Sequence, residues 1–175
     1  MNEDVQHSKT WPTTIGAVSI IVGGLSLFGG CLALTGMAEM EQLHTAIPFG
    51  DGELSDELVA QLKATAPAKW ILNVTTVANI VFSIILTWAG MALLQRAPSA
   101  RKTLLVWSVF YLLFSIASTV ANWAPRMELV QQNNDVKGMF LAQLVISTPL
   151  YLALPVFLLI FLNRKRIRNE IAFWR

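Results

Sequence analysis

The chain is poor in the residues that carry most protein chemistry. It has one cysteine, Cys31, and two histidines, His7 and His44. A single cysteine excludes an intrachain disulfide framework and a cysteine-rich zinc site. The histidines have no ligand-type companions at metal-binding spacing, so neither a metal nor a cofactor is expected. Charge is scarce as well. Asp, Glu, Lys and Arg make up 14% of the residues, against about 25% in an ordinary soluble domain. A net charge of +2 gives no reason to expect a nucleic-acid partner. No Gly-x-x-x-x-Gly-Lys-Ser/Thr pattern occurs that would cradle a phosphate.

The missing charge is concentrated in four apolar runs, 11–38, 70–94, 103–123 and 138–162. Hydrophobic residues make up 54% of the chain, and the mean hydropathy is +0.54. At about 1.5 Å per helical residue, a run of about 20 residues crosses a hydrocarbon core of about 30 Å. Lipid offers no hydrogen bonds to a backbone, so each run must be a helix. The expected fold is all-α: a four-helix transmembrane bundle, forming a single membrane domain over residues 1–175.

Flanking charge sets the expected orientation. Lys9, the loop residues Arg96, Arg101 and Lys102, and the tail residues Arg164, Lys165, Arg166, Arg168 and Arg175 fall on one side. Lys63, Lys69, Arg126 and Lys137 are spread over longer sequence on the other. The positive-inside rule makes loop 95–102, the tail 163–175 and both termini cytoplasmic. Arg96, Arg101, Lys102, Arg164, Lys165, Arg166 and Arg168 are then expected to meet anionic lipid. Ile167, Ile171 and Trp174 share one face of the tail, which reads as a helix lying on the membrane surface. Loops 39–69 and 124–137 face outward. Ser55, followed by Asp56 and Glu57, has the form of a helix N-cap with acids in the first turn. With Leu58 and Leu62 on one face, this predicts a short amphipathic helix in the first outer loop. Trp11, Trp70 and Trp123 stand at span ends, as interfacial tryptophans do.

The spans carry small and polar stripes. Gly16, Ser19, Gly23, Ser26, Gly30 and Ala33 recur at alternating spacings of three and four, a heptad seam suited to close helix packing. In the second span, Asn73, Thr76, Asn79, Ser83, Thr87 and Gly90 fall within about a third of the helix circumference. Ser108, Tyr111, Ser115, Ser118, Thr119 and Asn122 mark the third span, and Gln143, Ser147 and Tyr151 the fourth. Two readings follow. The polar groups are interhelical glue, at about 0.6 kcal/mol per bond, or they line a polar pocket made of Asn73, Thr76, Asn79, Ser83, Ser115, Gln143 and Tyr151. Pro149 and Pro155 are expected to kink the fourth span, with Ser147 and Thr148 serving freed backbone groups.

No Asp, Glu, Lys, Arg or His lies inside the four runs. Ion-coupled transporters place ionisable groups there, and intramembrane proteases need a Ser/His pair, an Asp pair or a metal. Catalytic residues are therefore not expected, and the protein is read as a non-enzyme. Phe28-Gly29-Gly30-Cys31 resembles a lipoprotein cleavage site. Against it stand the acidic start (Glu3, Asp4), Phe28 in place of Leu, and a seam that continues past Cys31 to Ala33.

The second hairpin, Gly90-Met91-Ala92-Leu93-Leu94-Gln95-Arg96-Ala97-Pro98-Ser99-Ala100-Arg101, resembles a G-x-x-L-L-x-R-x-P-x-A-R turn of small four-span bacterial membrane proteins. The resemblance implies a bacterial inner membrane and no particular activity. The expected role is a structural, scaffold or accessory subunit acting through helix packing. Its partners would be the bilayer, a second copy of the chain or a larger membrane complex. The alternative is a binder or passive carrier of a lipid or small neutral molecule.

Overall fold

The computed structural model describes residues 10–34, 60–62, 64–172 and 174, with the backbone alone at positions 135, 139 and 147. Among the described residues there are helices and no strands. Three long helices come first: α1 (Trp11–Leu34), α2 (Lys69–Leu94) and α3 (Ser99–Trp123). A 3-10 turn (Ala124–Arg126) leads into α4 (Met127–Gln132) and α5 (Asn134–Ala142). A π turn (Gln143–Ser147) joins α5 to α6 (Thr148–Leu162), and these three pieces make the fourth apolar helix. α7 (Lys165–Ala172) ends the chain. Four helices are thus long and apolar enough to cross a membrane. Their surfaces suit apolar surroundings: Ile21, Leu25, Phe28, Leu113, Leu150 and Ile160 are each more than 60% exposed.

α1 packs along α2, α2 against α3, and α3 against α6, whereas α1 and α6 scarcely touch. The glycine seam explains the first pairing. A Cβ on Gly16 would lie 2.9 Å from the Gly90 carbonyl oxygen, and one on Gly90 2.9 Å from that of Gly16. A Cβ on Gly23 would collide with the Thr87 hydroxyl and the Ser83 carbonyl, and one on Gly30 with the Ile80 side chain. Absent side chains thus let two backbones meet. Ser19 is buried in this interface, and its hydroxyl has no hydrogen-bond partner.

The bundle is packed at one end and open at the other. At the hairpin end, around residues 95–98, Leu86, Leu93, Leu104, Leu158 and Leu162 form a filled core. Trp11 closes α1 onto α6 there, with ring centroids 5.6 Å from Phe161 and 5.5 Å from Trp174.

Several boundaries and contacts differ from the sequence reading. α3 starts at Ser99 directly after Pro98, so the 95–102 loop contracts to a four-residue turn. α2 ends in a Schellman arrangement: the Ala97 N–H donates to the Ala92 carbonyl at 2.9 Å and that of Arg96 to Leu93 at 3.1 Å. Arg96 (φ 55°) takes the left-handed position usually given to glycine. Segment 124–137 is a helical elbow around Trp123, Val130 and Val136. Trp11 and Trp123 are therefore packing residues, and only Trp70, 67% exposed, stands free at a helix start. In the first outer loop, residues 60–62 and 64 are helical, Leu62 packs on the elbow, and Ser55–Leu58 lie outside the described residues.

The tail also differs from the expected membrane-surface helix. Ile167 and Ile171 are buried in the hairpin-end core, so the apolar face of α7 docks on the bundle. Arg164, Lys165, Arg166 and Arg168 stay exposed. Arg101 is half-buried and spent internally: its Nε donates to the Leu162 carbonyl at 3.0 Å and Nη2 to Asn163 Oδ1 at 3.2 Å. Arg96 and Lys102 are exposed.

Candidate functional site

Beyond the filled core the four helices border an open cavity of about 420 Å³, in the half of the bundle away from the hairpin. Its volume falls in the usual range for small-molecule sites, about 300–1,000 Å³. α1 lines it with Ser26, Gly29, Gly30 and Ala33; α2 with Thr75, Thr76 and Asn79. α3 contributes Tyr111, Phe114, Ser115, Ser118, Thr119 and Asn122, and the fourth helix Gln143 and Tyr151.

An aromatic cluster separates this cavity from the packed core. The Trp107 indole N–H donates to the Phe82 carbonyl across helices at 2.8 Å. Its ring stacks on Tyr111 at 4.8 Å, and Phe82 meets Tyr111 edge-on at 5.6 Å. These rings fix the floor of the cavity, because an offset stack and an edge contact together leave Tyr111 little freedom.

Hydrogen bonding sorts the polar side chains into two groups. Most of them serve their own helix. Thr75 donates to the Ile71 and Leu72 carbonyls, Ser83 to Asn79, Thr87 to Ser83 and Ser108 to Leu104. Ser118 and Thr119 donate to the Ser115 carbonyl, and the Asn122 amide to Ser118 at 2.9 Å. The other group faces the cavity unpaired. Among the described residues, the Thr76 and Ser115 hydroxyls and the Asn79 and Gln143 carboxamides have no hydrogen-bond partner. Asn79 is half-buried and Gln143 exposed, so both carboxamides are open to a bound molecule.

The π turn places Gln143. Pro149 has no N–H and crowds the carbonyl four residues before it. The helix widens just ahead of it. The Thr148 N–H pairs with the Gln143 carbonyl five residues back, and its hydroxyl donates to the same oxygen at 3.1 Å. Thr148 therefore serves Gln143 and not the Val145 carbonyl freed by the proline. The other proline, Pro155, is buried within α6, which runs on through it. Such π turns recur at functional sites because they aim a side chain that a regular helix would turn away.

The structure brings together Thr76, Asn79, Ser115, Gln143 and Tyr151 from the sequence-derived pocket, and leaves out Asn73 and Ser83. Asn73 is exposed. It stands about 120° around the helix from Asn79, at 100° per residue, while Thr75 is only about 40° away on the other side. Centring the stripe on Asn79 finds Thr75 and drops Asn73. Ser83 is buried against Gly23 of α1. Within the seam, Gly16, Ser19, Gly23 and Gly30 are buried, whereas Ser26 and Ala33 are half-buried and line the cavity. Phe114 and Gly29, which also line the cavity, carry no polar signal that a sequence pattern reveals.

Among the described residues, no Asp, Glu, Lys, Arg or His lines the cavity. Among the described residues, no three His, Cys, Asp or Glu side chains come together in a metal-binding group. No protein-family model, curated protein or solved structure matches this chain.

Proposed function

We propose that the protein is a multi-pass membrane protein that holds a small, uncharged ligand bearing hydroxyl or amide groups in the bundle interior. The observation behind this reading is the cavity lined by hydroxyls and carboxamides, several of them without partners on the protein. A ligand supplying donors and acceptors would satisfy Asn79 and Gln143 together. No charged side chain lines the cavity among the described residues, which disfavours ions, since an isolated charge moved there meets no counter-charge from them. The described lining offers hydroxyls and carboxamides, groups suited to binding, and binding or passive carriage is the proposed role.

We place both termini and the 95–98 hairpin in the cytoplasm, on the basic residues Arg96, Lys102, Arg164, Lys165, Arg166 and Arg168 at that end. A bacterial inner membrane is the proposed location. The cavity then lies in the outer half of the bilayer. The competing reading is a structural or accessory subunit. It draws on Gly24, where a Cβ would meet nothing within 4 Å and another helix has room to approach.

Purification with native lipids, followed by mass spectrometry of the intact complex, separates the two. The expected result is a stoichiometric small ligand on the wild-type protein that is lost from Asn79→Leu. A ligand-free chain carrying a second polypeptide would overturn the binding reading and favour the subunit.

A further inference from the structure

We infer that the ligand is a membrane lipid with an uncharged, hydroxyl-bearing headgroup, which reaches the cavity sideways from the bilayer between α1 and the fourth helix. This rests on the binding reading above. The gap follows from the packing: α1 is held by α2 along its length but scarcely touches α6 or the π turn, and Trp11 closes it onto α6 only at the hairpin end. The residues at the two lips behave as an opening requires. Gly29 lines the cavity, yet a Cβ there would meet nothing within 4 Å. Across from it, Gln143 is exposed and Tyr151 is 59% exposed although both line the same cavity.

The surroundings of the gap are apolar. Leu25 and Phe28 on α1 and Leu144 and Leu150 on the fourth helix are exposed, and they offer acyl chains a surface. The polar lining runs along α3 from Tyr111 to Asn122, which at about 1.5 Å per residue is about 17 Å, half of a hydrocarbon core. A headgroup drawn that deep must shed water, and the unpartnered Asn79 and Gln143 carboxamides replace those hydrogen bonds. Among the described residues, none of those lining the cavity is a cation that could meet a phosphate. The headgroup class is therefore neutral: a glycerol or sugar hydroxyl.

The test uses the full chain in phosphatidylcholine vesicles carrying a trace of diacylglycerol with a diazirine near the glycerol end of its acyl chain. The expected photoadducts fall on the peptides around Ser26–Ala33 and Gln143–Tyr151. Gly29→Phe, which plugs the gap from a position with open space, is expected to lower them about tenfold, and Gln143→Phe from the opposite lip likewise. Gly24→Phe, also in open space but away from the gap, is expected to leave them unchanged. Equal labelling in all four proteins overturns the sideways route, and equal labelling by a phosphatidic acid probe with the same chains overturns the neutral headgroup. If a water-soluble photoreactive monosaccharide labels the cavity and the lipid probe does not, the lipid inference fails while the binding reading stands. If neither probe labels it, both fail.

Discussion

Gly23 and Gly24 are adjacent glycines in the same helix with opposite surroundings. A Cβ at Gly23 would lie 2.9 Å from the Ser83 carbonyl oxygen, a backbone atom that cannot turn aside, while one at Gly24 meets nothing. Gly23→Ala is therefore expected to destabilise the α1–α2 pair by about 1–3 kcal/mol, the usual range for overpacking. Gly24→Ala is expected to be neutral or to stabilise by up to about 1 kcal/mol through helix propensity. Reversible unfolding in mixed micelles measures both, and equal effects would show that α1 does not pack by this face. The spacing pattern made Gly23 legible. It did not say where the seam stops and the cavity begins, because Ser26 and Ala33 fit the heptad as well as Ser19 does. Only the splaying of α1 from the fourth helix separates them.

Arg101 illustrates how a helix end changes the meaning of a charge. Its guanidinium caps the last carbonyl of α6, that of Leu162, where a cation also meets the negative end of the helix dipole. Lys102, next in sequence, is exposed. Arg101→Gln is expected to cost about 1.5–3 kcal/mol, the worth of a charge-assisted bond, and Lys102→Gln less than about 0.5 kcal/mol. Thermal unfolding of the two variants under one condition checks the difference, and equal shifts would contradict the capping role. α7 makes the same point about amphipathic faces. The i, i+4, i+7 stripe of Ile167, Ile171 and Trp174 was legible, but periodicity does not say whether such a face meets lipid or protein. Burial of Ile167 and Ile171 answers for protein. Ile167→Asp should release α7 and let trypsin cut at Lys165, Arg166 and Arg168 many times faster than in wild type. Unchanged cleavage would mean that α7 is not docked. The four apolar helices themselves were plain from hydropathy. Their ends were less so, because the turn at Pro98 and the elbow at 124–137 depend on local hydrogen bonds that the pattern of charge does not encode.

The molecule as a whole is asymmetric along the bundle axis, with an aliphatic core closed by tryptophans at one end and a polar cavity at the other. Loss of α1 by cleavage before Cys31 would strip the cover from Ser83, Thr87 and Gly90 and remove one wall of the cavity. The intact mass of the membrane-extracted protein is accordingly expected to retain α1 and to show no lipid on Cys31. A chain beginning at an acylated Cys31 would contradict this and leave a three-helix bundle. Orientation has its own check: a reporter active only outside the cytoplasm, fused after Arg175, should be silent, and activity there would invert the proposed topology.

The claim on which the functional reading turns is that Asn79 and Gln143 face a cavity held open for a ligand. The most direct measurement is an experimental structure of the protein extracted with its native lipids into nanodiscs. The predicted result is density for a bound molecule between α1 and the fourth helix, within hydrogen-bond reach of the Asn79 and Gln143 carboxamides. A collapsed interior, with those two carboxamides paired directly to neighbouring helices and no room between them, would contradict it.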